Sequence, residues 1–110
     1  SNRSKIDQLG VDPVSIDRFG AVSEIVVENM VNGVLGKTTA DCAIATSGVA
    51  GPGGGTTDKP VGTVWVAVGD KVKGLRTKEF LFAGDREKVR LQSVVESLRL
   101  LELFLTYDKP

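Results

Sequence analysis

Residues Ala40 to Val68 read ADCAIATSGVA, then GPGGGTTDKP, then VGTVWVAV. Two apolar runs rich in β-branched residues flank a spacer whose ten residues include four glycines and two prolines, so the runs read as buried strands and the spacer as a loop. A hairpin needs only two to five connecting residues, and a loop this much longer is commonly a binding loop. Glycine lets backbone N–H groups approach a ligand without a Cβ in the way, and successive N–H groups can form an anion-binding nest. The same glycines also fit an irregular strand connection with no ligand.

Working back towards the start, Ser23 can cap a helix, with Glu24 at the positive end of its dipole. Val27, Met30, Val31 and Val34 form an apolar stripe along it, and Gly33 and Gly36 mark a frayed end. Before it, SNRSKIDQLG reads as a short helix with Ile6 and Leu9 on one face. A second short helix opens at Asp12–Pro13 and runs towards Gly20.

Working forward, Gly69-Asp70 suggests a tight turn into a third strand through Thr77, Phe80 and Phe82, antiparallel to the second. The charged segment KVKGLRTKE suits an edge. Asp85 in Gly84-Asp85-Arg86-Glu87 can cap a last helix. Its spacing predicts a core-facing seam of Leu91, Val94, Leu98, Leu101 and Leu105. Leu100, Leu103 and Phe104 add apolar surface beyond that seam, which suggests a second buried face in a homo-oligomer.

The expected fold class is α/β: one layered domain over 1–110, with a small mixed sheet covered by helices. Three strands are few for this much helix, so an upstream strand and helix segment is expected to be missing. Lys+Arg and Asp+Glu number 14 each, so no net field argues for a nucleic acid or an anionic membrane. No apolar run approaches the roughly 20 residues that span a bilayer. With no histidine, the chain cannot supply a Ser–His or Cys–His pair or a His-ligated zinc, and no metal site is expected. The single cysteine, Cys42, rules out an intrachain disulfide, which suits a reducing, cytoplasmic setting. Acid–base chemistry would then rest on Lys, Tyr, Asp or Glu.

The run SGVAGPGGGTTDKPVGTVWVAV, together with SNRSKIDQLGV, RFGAVSE and GDREKVR in the same order, resembles the C-terminal domain of the competence/damage-inducible CinA family. Its members include nicotinamide-nucleotide amidases. The resemblance implies hydrolysis of the carboxamide of nicotinamide mononucleotide to the acid and ammonia, with no cofactor. It implies a serine nucleophile assisted by a lysine and a tyrosine, and Lys5 stands at the lysine position. The tyrosine position falls just before Ser1 and the serine further upstream. The resemblance also makes Ser47, Gly48, Gly51, Gly53, Gly54 and Arg86 substrate contacts, with Arg86 facing phosphate. The other reading is a non-catalytic nucleotide-binding or assembly module that keeps the glycine loop.

Overall fold

The computed structural model describes residues 22–49, 53, 55–56 and 59–107. The short helices expected over 1–10 and towards Gly20 lie outside these residues. Within them the order is α1 (Glu24–Lys37), β1 (Cys42–Gly48), β2 (Thr63–Asp70), β3 (Gly74–Leu81) and α2 (Arg86–Tyr107).

Helix α1 begins where the sequence indicates. The Ser23 hydroxyl accepts the Val26 N–H at 3.4 Å, and Glu24 sits in the first turn. The helix runs through Gly33 and Gly36 instead of fraying there. It stops at Lys37, where Thr38 turns extended and returns both its N–H and its hydroxyl to the Val34 carbonyl. Glu24 also accepts the Thr77 hydroxyl, which ties the start of α1 to β3.

The strands form one sheet in the order β1-β2-β3. The layered α/β class is as expected. Both described pairings are antiparallel, so any parallel pairing that would make the sheet mixed lies outside the described residues. Ile44 faces Val68 and Gly48 faces Val64 across one ladder, while Val64 faces Phe80 across the other. Gly69 and Asp70, read as a turn, instead complete β2. The turn is Lys71–Lys73, and the Asp70 carboxylate holds it by accepting the Val72 and Lys73 N–H groups at 2.8 and 3.0 Å.

Alternation along β2 divides the core between two layers. Val64, Val66 and Val68 pack with Val89 and Phe104 of α2. Ala67, with Trp65 partly buried beside it, packs with Val27 and Val31 of α1. Gly69 allows α1 to come close, because a Cβ there would lie 2.5 Å from Val31 Cγ1 and 2.7 Å from Leu75 Cδ2.

The sequence misplaces the inner face of α2. Leu91, Val94 and Leu98 are 64%, 57% and 57% exposed, and of the expected seam only Leu101 packs against the core. The face on the sheet runs through Val89, Ser97, Leu100 and Phe104 instead. Serine is tolerated there because the helix satisfies it. Ser93 donates to the Val89 carbonyl at 2.7 Å and Ser97 to the Ser93 carbonyl at 2.5 Å. At the far end, the Lys73 ammonium donates to the Phe104 and Leu105 carbonyls at 3.3 and 2.5 Å and lies 5.9 Å from the Phe104 ring centre.

Candidate functional site

The β1–β2 loop is closed at its base by backbone hydrogen bonds. Val49 N–H donates to the Thr63 carbonyl at 2.9 Å, and Gly62 N–H donates to the Val49 carbonyl at 2.6 Å. A second closure lies further out. Thr56 N–H reaches the Lys59 carbonyl at 2.9 Å, and Lys59 N–H returns to the Thr56 hydroxyl at 3.0 Å. Two glycines at the base are sterically required. A Cβ on Gly48 would sit 2.7 Å from Val64 Cγ2. Gly62 has φ +99°, and a Cβ there would lie 2.1 Å from the Phe82 carbonyl oxygen.

That close approach joins the loop to the start of α2. Phe82 N–H donates to the Gly62 carbonyl at 2.9 Å, so the loop base is held to the segment leading into Gly84-Asp85-Arg86. Asp85 then caps the helix, accepting the Lys88 N–H at 2.9 Å. Gln92 reaches back to the Ala83 carbonyl at 2.8 Å and fixes the same segment from the helix side. Arg86 follows as the first, exposed residue of α2.

Beside this junction a cleft of about 460 Å³ opens between β1 and α2. Gly48, Val89 and Arg90 line it, and Ile44, Thr46, Val64, Val94 and Leu98 make its body largely apolar. Of the expected contacts, Gly48 borders this cleft. Ser47 does not: it is buried and shares the strand parity of Ala45, which packs on the α1 side. Gly53 is exposed with open space around it. Gly51, Gly54 and Lys5 lie outside the described residues. Arg90 was missed as a lining residue, although GDREKVR spaces Arg86 and Arg90 four apart and so on one helix face.

Chemically, the cleft offers a largely apolar body with the Arg90 guanidinium among its lining residues, while Arg86 is not among them. Among the described residues no cluster of acidic or cysteine side chains could hold a metal ion, and no helix is long and apolar enough to cross a membrane. The carboxyls with displaced proton affinity stand elsewhere. Burial, and then the neighbouring Glu24 charge, hold Glu28 on α1 above its ordinary range. The N–H groups of Lys73 and Val72 hold Asp70 below its ordinary range.

Comparison with known proteins identifies the family of the chain. Residues 1–105 match the model of the CinA C-terminal domain. A nicotinamide-nucleotide amidohydrolase PncC from Enterobacter agglomerans is 48% identical over 99 residues, covering 90% of this chain and 60% of the relative. The PncC of Pseudomonas putida is 50% identical over 98 residues, covering 89% and 61%. The crystal structure of a competence damage-inducible protein A from Klebsiella pneumoniae matches with a TM-score of 0.92 at 38% identity, covering 99% of this chain and 67% of that one. The chain thus spans about 60% of the length of the amidohydrolases it matches. It belongs to the CinA C-terminal domain family.

Proposed function

We propose that this chain carries the substrate-loop part of a nicotinamide-nucleotide amidohydrolase. The observation that carries this reading is identity near one half, over nearly the whole chain, with relatives bearing that name. The loop base held against the start of α2 supports it. In this reading the glycine loop and Arg86 take the mononucleotide, and the guanidinium pairs with phosphate, which a fork of N–H donors fits well. Lys5 is the general base. A lysine at its ordinary pKa of about 10.4 is neutral in fewer than about one molecule in a thousand at pH 7, so the role requires desolvation or a nearby cation. The serine and tyrosine positions of the resemblance precede Ser1, so the 110 residues alone are expected to turn over no substrate.

The test is calorimetric, on a protein extended to the length of the amidohydrolase relatives. Arg86→Ala is expected to weaken nicotinamide mononucleotide about ten- to a hundredfold, the worth of a charge-assisted contact. Nicotinamide riboside, which has no phosphate, should be affected much less. Equal weakening of both would remove Arg86 from the phosphate site. In the same protein Lys5→Arg should be nearly as damaging to turnover as Lys5→Ala, because guanidinium holds its proton.

A further inference from the structure

We propose that the β2–β3 turn is a strap that keeps the last turn of α2 seated on the sheet, and that this strap opens and closes as one unit. The device belongs to the fold and holds whether or not the chain is part of an amidohydrolase.

The first observation is where the two lysines of the turn go. Helices α1 and α2 pack on opposite faces of the sheet, and residues 71–73 cross its end between β2 and β3. On the α1 side, Lys71 N–H donates to the Asp41 carbonyl at 3.1 Å, and its ammonium donates to the Thr38 carbonyl at 3.4 Å. Two residues on, the Lys73 ammonium donates to the Phe104 and Leu105 carbonyls at 3.3 and 2.5 Å. One turn thus holds both the connection after α1 and the end of α2.

The second observation is that the two helix ends differ in what they lack. The last four carbonyls of a helix have no partner within it. Helix α1 meets this need itself: Lys37 stands in its last turn, and Thr38 returns its N–H and hydroxyl to the Val34 carbonyl. Helix α2 has no basic residue in its last turn, which includes Phe104 and Leu105. Lys73 brings in the cation that this end lacks. It does so over the ring of Phe104, 5.9 Å from the ring centre. Phe104 is only 3% exposed and is one of the side chains that seat α2 on β2, so the cation and the apolar anchor share one place.

The third observation is what aims Lys73. The Asp70 carboxylate accepts the Val72 and Lys73 N–H groups at 2.8 and 3.0 Å, which shapes the turn, and Gly74 at φ +92° leads it into β3. Asp70 acts on the backbone of the turn, and its route to α2 is the Lys73 side chain. Losing either residue should free the end of α2 while the sheet stays intact, a local opening that takes far less free energy than unfolding.

The experiment reads helicity at residues 104–107 from the backbone carbon chemical shifts of the purified chain. Lys73→Met and Asp70→Ala are each expected to raise the frayed-to-helical ratio there about two- to fivefold, the worth of a cation at a helix C-terminus. Shifts in β2 should not move. The double variant should fray no more than Lys73→Met alone. Val72→Ser, at the 82% exposed tip, keeps every bond of the turn and should change nothing at residues 104–107. An intact helix end in Lys73→Met or in Asp70→Ala overturns the proposal, as do single effects that multiply in the double variant. An equal effect of Val72→Ser overturns it too, and so does a change spread over β2, which would mean general loosening.

Discussion

On the α1 side of the sheet, Val27, Val31 and Ala67 are fully buried, and Ala45 is 7% exposed. On the α2 side, Val66, Val68 and Val89 are as well buried at the centre, but Leu91, Val94, Val95 and Leu98 stand in solvent and a cleft separates α2 from β1. The strands are the same; the helices differ in how fully they seat. Helix α1 contacts β1 and β2 through Val27 and Val31 and is drawn in by the missing side chain of Gly69. Helix α2 seats on β2 through Val89 and Phe104 and leaves β1 largely uncovered.

The sharpest way to break this contrast is to place a charge on each side. Val27→Asp, at a fully buried site, is expected to cost at least about 3–5 kcal/mol and to leave the chain largely unfolded. Leu98→Asp should stay within about 1 kcal/mol of the parent in the chain alone. Urea denaturation compares the two directly. Similar losses would mean that the α2 face is already covered.

Next in size is Gly62→Ala at the loop base, where φ +99° and the Phe82 carbonyl both oppose a Cβ. A loss of about 2 kcal/mol or more in the same titration is expected. A neutral result would mean that the loop base is not held to the α2 junction as described. Lys73→Met should cost less, about 0.3–1 kcal/mol, by removing a cation from the carbonyl end of α2. Its thermal unfolding should shift by only a few degrees.

The smallest effects are in pH, with opposite signs at two carboxyls. Asp70 has a lowered folded pKa. Its contribution is present above the unfolded carboxylate pKa and is lost as pH falls through the lowered value. Glu28 has a raised folded pKa, so stability falls as pH rises from the unfolded value through the raised one. Asp70→Asn should therefore weaken the acid dependence of stability. Glu28→Gln should relieve a penalty at neutral pH. Reversed signs in pH-dependent denaturation would contradict these two environments.

Some of this was legible in the residues. Ser23, the alternation of VWVAV and the Asp85 cap fixed α1, β2 and the start of α2, because caps and period-two burial depend on local chemistry. The inward face of α2 was not legible. Its apolar residues surround the helix, and spacing alone favoured a seam of which only Leu101 packs on the core. Ser93 and Ser97 read as polar because their hydrogen bonds to their own helix are invisible until the helix exists. The glycine loop could be located from composition. The side of the sheet that Ser47 faces depends on register, which only the pairing with Trp65 reveals.

The most direct measurement is ammonia release from nicotinamide mononucleotide by the purified chain and by a protein extended to the length of the amidohydrolase relatives. The expected result is no release above background from the 110 residues and sustained release from the extended protein. Turnover by the 110 residues alone, or none by the extended protein, would contradict the proposal that this chain carries the substrate-loop part of an amidohydrolase.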